Sequence, residues 1–189
     1  IGSYLIKQNP SIDGTVYDET PNRKIRTELT ARATSFTTNQ RLYGGNTSTG
    51  KTALSVFAWV RPTTLSSTKA IVGEYQSVGN DRGWVLFFEG NLLRVTMSAD
   101  GGATNMKAYG STATFSTDEW VHVGFVFSAG VLTLYANGKA LAVKKTTDGT
   151  ISTIHDSSET LEIGSLNVGA NYFEGQIQTP LIFDSAIPA

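Results

Sequence analysis

Between Val121 and Ala136 the chain switches between apolar and other residues with a period of two. Val121, Val123, Phe125 and Phe127 take every second position, with His122, Gly124 and Val126 between them. Alternation over this length predicts a strand with one buried face. Ser128-Ala129-Gly130 then turns the chain, and Leu132, Leu134 and Ala136 alternate on the return. Asn137-Gly138 supplies the two residues most tolerant of positive φ, as a type I′ hairpin turn demands, and Lys139 to Val143 is expected as the third strand of a meander. His122 falls on the same face as Trp120 and Val126 and is expected to be a hydrogen-bonded structural histidine.

The same punctuation recurs elsewhere. Ser55 to Val60 puts Val56, Ala58 and Val60 on one face and Phe57 and Trp59 on the other. With both faces apolar it is expected to be an inner strand, with Trp59 and Trp120 in the core, and it ends against Pro62. "AIVGEY", "GWVLFFEG" and "LLRVTMS" follow, the last two joined by a tight turn at Glu89 to Asn91; "TLEIGSL" and "YFEGQIQTPLIFD" supply closing strands. Only Thr27 to Phe36 has helix-forming composition, and it alternates equally well as a strand. Many short strands separated by turn residues need two sheets to bury their apolar faces. The predicted fold is therefore all-β, a two-sheet antiparallel β-sandwich of jelly-roll type. Residues 1–189 are expected to form one domain, with 1–14 a flexible or edge segment.

Composition sharpens this picture. Charged residues make up 16% of the chain against roughly 25% in an average soluble protein, with Thr, Ser, Asn and Gly filling polar positions. The formal net charge is -1 with no basic stripe, which argues against nucleic acid as a partner. No run has the apolar length of a membrane span. With Cys 0, disulfides, zinc thiolates and cysteine nucleophiles are excluded. The first residue is Ile1 rather than Met, consistent with removal of a leader or a neighbouring domain, and the chain is expected to be part of a larger chain or assembly.

One motif competes with the all-β reading. Gly45, Gly50, Lys51 and Thr52 satisfy the phosphate-loop pattern G-x-x-x-x-G-K-[ST]. That chemistry needs a helix after the loop, whereas "ALSVFAWV" is β-branched, aromatic and alternating, so the stretch is read as a glycine-rich loop and nucleotide is not expected. Asp184 would mimic the metal-side acid of such a site, but without crossover helices no parallel sheet would join it to Lys51. Asn46-Thr47-Ser48 also fits a glycosylation sequon.

Catalysis has little support. No Ser-centred elbow accompanies His155, and Glu74, Glu89, Glu119, Glu159, Glu162 and Glu174 are isolated rather than paired across one bond. No catalytic residue is assigned, and no cofactor is expected. Calcium stays open as a single ion between two loops, since Asp81, Asp100, Asp148 and Asp156 sit in turns without the dense spacing of a calcium loop. Recognition of sugar needs an exposed ring with convergent polar groups. The rim loops hold both, and the candidate ligand-binding residues are Asn80, Asp81, Arg82, Trp84, Tyr109, Asn167, Asn171 and Tyr172.

"GTVYDET", "LSVFAWVRPTTLSSTKAIVGEY", "GWVLFFEGNLLRV", "EWVHVGFVFSAGVLTLYANGKAL", "LEIGS" and "YFEGQIQTPLIFDSAI" together resemble, from about Gly14 onward, the laminin-G-like jelly-roll branch of the concanavalin A-like lectin/glucanase superfamily. The resemblance implies a non-catalytic module binding a glycan or a surface protein, placed outside a cell, on its surface or on a virion. A structural or assembly domain of a virion or surface fibre is the alternative, and a glycoside hydrolase with an unfamiliar carboxylate pair the third. Two departures stand out. "SLNVGAN" has Asn167 and Asn171 where the related pentraxins have acidic calcium ligands, and Gln178 and Pro180 replace an acid and a variable residue of the closing strand.

Overall fold

The computed structural model describes residues 33–37, 39–46, 50–166 and 170–187. The strands are β1 (Thr34–Phe36), β2 (Leu42–Tyr43), β3 (Ala53–Pro62), β4 (Lys69–Gln76), β5 (Asp81–Glu89), β6 (Leu92–Gly101) and β7 (Met106–Thr114). They continue with β8 (Val121–Ser128), β9 (Val131–Ala136), β10 (Lys139–Ala140), β11 (Val143–Asp148), β12 (Glu162–Ile163), β13 (Gly175–Ile177) and β14 (Leu181–Phe183). One sheet runs β1-β13-β3-β8-β9-β10, with β14 also on β3; the other runs β11-β7-β6-β5-β4-β12-β2. Every pairing is antiparallel. The two-layer sandwich thus matches the expected jelly roll. Among the described residues, helical backbone is limited to a 3-10 turn at Val78–Asn80, and no helix is long and apolar enough to cross a membrane. Residues 1–14, and Thr27 to Arg32 of the ambiguous segment, lie outside the described residues; Thr34–Phe36 is strand.

The inward residues of both sheets form the core. Leu54, Val56, Ala58 and Val60 of β3 interleave with Val123, Phe125 and Phe127 of β8 and, from the facing sheet, with Trp84, Leu86, Phe88, Leu93, Val95 and Met97. Trp84 is fully buried and meets Phe125 edge-on at 5.8 Å between ring centroids. Fully burying side chains of this size contributes roughly 1.5–3 kcal/mol each, which favours this register over one shifted by a residue.

Turn chemistry sets the hairpins. Gly90-Asn91, Ala129-Gly130 and Asn137-Gly138 all have positive φ at both turn residues, joining β5 to β6, β8 to β9 and β9 to β10 through two-residue loops. The third strand of the meander is shorter than its sequence suggests. Only Lys139–Ala140 pairs with β9, after which the chain crosses to the other sheet as β11. The Lys-rich stretch Lys144-Lys145 suits that role, because charged side chains blunt an exposed edge strand.

An ion-pair cluster pins this edge. Lys107 Nζ donates to Asp148 Oδ1 at 2.8 Å, Lys145 Nζ to Asp148 Oδ2 at 2.9 Å, and the Tyr109 hydroxyl also donates to Oδ1. Both ammonium groups also lie over the Tyr109 ring, at 5.7 and 5.1 Å from its centroid. The hydrogen bond from Lys107, then those from Tyr109 and Lys145, hold the Asp148 carboxyl well below the usual carboxylate range.

β3 is the inner strand expected of it, with β8 on one edge and β13 and β14 on the other. Pro180 lies between β13 and β14, where the missing N–H costs no ladder bond, and Gln178 N bridges the gap by donating to Trp59 O at 2.9 Å. On β8, Gly124 faces outward beneath the Phe57 ring. A Cβ there would come within 2.3 Å of Phe57 Cδ1 and of Val56 O.

Two outcomes test these arguments. Gly124→Ala should destabilise the domain by about 1–3 kcal/mol in urea denaturation, and adding Phe57→Ala should recover only part, because the clash with backbone remains. Asp148 has a depressed folded pKa, so its stabilisation is present above the unfolded value of about 3.9 and fades as pH falls through the folded one. The melting temperature of Asp148→Asn should therefore lie below that of the parent at neutral pH, with the gap closing in acid.

Candidate functional site

At the rim, Asp81 opens β5 and its carboxylate gathers donors from a distant loop. Ser158 N donates to Oδ2 at 3.0 Å and to Oδ1 at 3.2 Å, Ser158 Oγ donates to Oδ2 at 2.5 Å, and His155 Nε2 lies 3.0 Å from Oδ1. Burial pulls the Asp81 pKa upward, but the Ser158, His155 and Ser157 hydrogen bonds outweigh it and the pKa is lowered. Glu159 beside it is raised, by burial first and then by the charges of Asp81 and Glu162. Ser, His and Asp thus meet here without the order a nucleophile needs. The Ser158 hydroxyl donates to the carboxylate rather than to the imidazole, so the group acts as a clasp between β5 and residues 155–158.

The other rim candidates are similarly committed. Arg82 donates from one terminal nitrogen to Asn80 Oδ1 and to Gly101 O, both at 3.0 Å. Asn80 is exposed and adopts φ 59° at the end of the 3-10 turn. Asn171 is exposed, its backbone carbonyl accepting from Ala70 N at 2.9 Å, and Tyr172 is half-buried. Asn167 lies outside the described residues. Two expectations of exposure are corrected. Trp84 points inward because its partners on β4 and β6, Glu74 and Met97, are inward positions of a sheet that must bury one face. Tyr109 is buried too, its hydroxyl drawn to Asp148.

Of the acids considered for calcium, Asp81, Asp100 and Asp148 have their carboxylates engaged, while Asp156 is exposed. Asp100 Oδ1 accepts from Gly102 N at 2.9 Å and Oδ2 from Asn105 Nδ2 at 2.7 Å. Asp81 and Asp148 bind protein donors as described. A calcium ion at Asp81, Asp100 or Asp148 would have to displace these donors. Lys51 and Asp184 do meet, contrary to the sequence argument. Antiparallel pairing of β14 with β3 brings Lys51 Nζ to 2.5 Å from Asp184 Oδ1, and the glycine loop leads into strand β3 rather than a helix. The lysine is spent on an ion pair. Residues 47–49 of the loop, including two of the sequon, lie outside the described residues.

The least committed surface is the outward face of the β3 sheet. Trp59 is 44% exposed and Trp120 40% exposed, so both leave the core to which the sequence assigned them. The reason is that, among the described residues, no third layer covers this face. Trp59 stands opposite His122 across the β3–β8 ladder, with ring centroids 5.2 Å apart and planes at 46°. His122 stacks on Phe57 at 5.6 Å and 11°, and Phe57 meets Tyr135 of β9 at 6.3 Å and 58°. Burial lowers the His122 pKa, which keeps the imidazole neutral at pH 7, and its backbone N–H donates to Asn137 Oδ1 at 3.0 Å. Polar groups border the rings. Arg61 Nε donates to Asp118 O at 3.0 Å, and Arg61 stands opposite Gln176, to whose Oε1 a terminal nitrogen donates at 3.5 Å. An apolar cleft lined by Phe36, Leu42, Tyr43, Ile163, Ile177 and Pro180 lies elsewhere, with few polar groups to orient a ligand.

The signal for this face lay in the sequence. Phe57 and Trp59 share the outward register of β3 with Ser55 and Arg61, and a strand truly covered on both sides would not carry an arginine there.

A laminin G model, described as concanavalin A-like lectin/glucanases superfamily, matches residues 31–189. No curated protein matches the sequence. Solved structures with this fold include a putative carbohydrate binding protein from Bacteroides ovatus, 18% identical with a TM-score of 0.64, covering 82% of this chain and 44% of that one. Mouse laminin alpha1 chain domains LG4-5 share 15% identity at TM-score 0.63, over 96% of this chain and 48% of theirs. Domain 4 of an extracellular arabinanase from Geobacillus stearothermophilus, in complex with arabinotriose, is 18% identical at TM-score 0.59, over 82% and 72%. This chain spans under half the length of the first two. At such identities the likeness speaks for the fold alone, while the family match covers most of the sequence. The chain is a member of the laminin G family within the concanavalin A-like lectin/glucanases superfamily.

Proposed function

We propose that this module binds carbohydrate without transforming it, and does so outside the cell as one part of a larger chain. The observation that carries the reading is the row of rings on the outward face of the β3 sheet, centred on Trp59. Sugar rings present apolar C–H faces that stack on indole, and they need only a few polar groups beside the stack for orientation. Arg61, Gln176 and the neutral His122 offer such groups. The fold's likeness to a putative carbohydrate binding protein and to a domain crystallised with arabinotriose supports the same class of ligand. The absence of a nucleophile–base pair at Asp81, His155 and Ser158 supports binding rather than turnover.

A second reading, packing against another protein in an adhesive or structural assembly, draws on the same face. Val131 is 65% exposed and Leu181 53% exposed, and both belong to strands of this sheet. Apolar residues gathered on one face mark contact surfaces. A stable oligomer in light scattering, lost on Leu181→Asp, would favour this second reading.

The test is a glycan array followed by calorimetric titration of the hits. Trp59→Ala should weaken binding by about 2 kcal/mol, roughly thirtyfold, as for a central aromatic anchor, with thermal stability nearly unchanged. Affinity should survive a chelator, since the ring face uses no metal. If instead Trp59→Ala binds normally while Arg82→Ala, Asn171→Ala or Tyr172→Ala does not, the site lies at the rim. Absence of binding to any glycan at millimolar concentration sinks the proposal.

A further inference from the structure

We infer that the ligand is an internal run of several sugar units on a single flexible chain, rather than a chain end or a crystalline polysaccharide surface. This inference rests on the carbohydrate reading above and specifies its ligand.

The argument begins with the extent of the ring row. Trp59, His122, Phe57 and Tyr135 follow one another at 5.2, 5.6 and 6.3 Å between centroids, passing from β3 to His122 of β8, back to Phe57 of β3, and over Gly124 to Tyr135 of β9. Trp59 and Tyr135 are separated by two strand spacings and two residues along the strand, or about 12 Å. One pyranose ring cannot touch both. A binder of chain ends needs a pocket that encloses most of the terminal sugar, whereas among the described residues this surface is an open sheet face. Leu181 stands beside Phe57 on β14 and is itself exposed, so the row is not walled on that side.

The ring planes decide between a single chain and a flat solid. Phe57 and His122 are near parallel at 11°, but Trp59 tilts by 46° from His122 and Tyr135 by 58° from Phe57. A rigid planar surface could lie on only part of such a row. A flexible chain can rotate about its glycosidic bonds and present successive sugar faces to successive rings.

Gly124 makes the row continuous. It lies opposite both Phe57 and Tyr135 in the ladder, and any side chain there would strike the Phe57 ring. With only hydrogen at that position, Phe57 closes the gap between His122 and Tyr135.

The experiment titrates the intact domain with one array-positive glycan as a mono-, di-, tri- and tetrasaccharide series, and with the same polymer in crystalline form. Affinity should rise at least tenfold from monosaccharide to trisaccharide. Tyr135→Ala should weaken the trisaccharide about tenfold, in the range of a lost aromatic contact, while leaving the monosaccharide unchanged. Trp59→Ala should weaken every member. Circular dichroism and melting of Tyr135→Ala confirm that the fold is kept, and Tyr135→Phe should restore binding. A monosaccharide that binds as tightly as the trisaccharide, a Tyr135→Ala variant with parental affinity for every length, or binding to the crystalline form alone overturns the inference while leaving carbohydrate recognition standing. Failure of every glycan to bind removes the carbohydrate reading itself.

Discussion

The hydrogen-bond ladder of β3 is the constraint from which the remaining architecture follows. From Ala53 opposite Ser128 to Val60 opposite Val121 it is paired without a slip along one edge. Along the other it is shared by β14, the Gln178 bridge and β13. A strand held this way cannot shift by one residue without exposing Leu54, Val56, Ala58 and Val60 and burying Arg61. The inward register is thus fixed by the core, and the outward register is its automatic consequence. Phe57 and Trp59 face out because their neighbours must face in.

That consequence carries a cost, and the structure reduces it. Exposed aromatic rings lose the benefit of burial, but grouping them recovers part of it through mutual contact. Phe57 lies over Gly124 and against His122, which leaves it half-buried. Trp59 gains contact with His122 yet keeps nearly half its surface open. Gly124 gives up β propensity for this arrangement, since a glycine inside a strand neither stiffens the backbone nor packs a side chain. The resulting surface is carried by the central strand pair, with its rings in mutual contact.

The sandwich could be read from the sequence because its determinants are local. Period-two alternation in β3 and β8 and the three two-residue turns, Gly90-Asn91, Ala129-Gly130 and Asn137-Gly138, depend on adjacent residues only. What escaped was decided by residues far apart in the chain. Trp84 sits beside the polar stretch from Ser77 to Gly83 and looks exposed until its ladder partners are known; Trp59 looks buried unless Arg61 in the same register is weighed. The sequence could not show that Asp81 would meet Ser158, or that Lys51 would meet Asp184, since both contacts close loops of more than seventy residues. The crossing of β11 to the second sheet was equally hidden, because Lys139 to Val143 has the composition of a strand in either sheet.

The contrast between rim and face also bears on where a ligand can gain free energy. At the rim, Asp81, Arg82, Asp100 and Asp148 each already bond protein donors or acceptors. A ligand that took over one of these groups would first break hydrogen bonds to a charged partner, each worth about 1.5–3 kcal/mol, and would recover a similar amount. The net gain would be small. On the ring face a ligand displaces water from aromatic surface whose rings already contact one another, and every apolar contact adds free energy without breaking a protein bond. A partly exposed aromatic row led by Trp59 is therefore the place where this fold can bind most at least internal expense, even though its loops carry most of the polar chemistry.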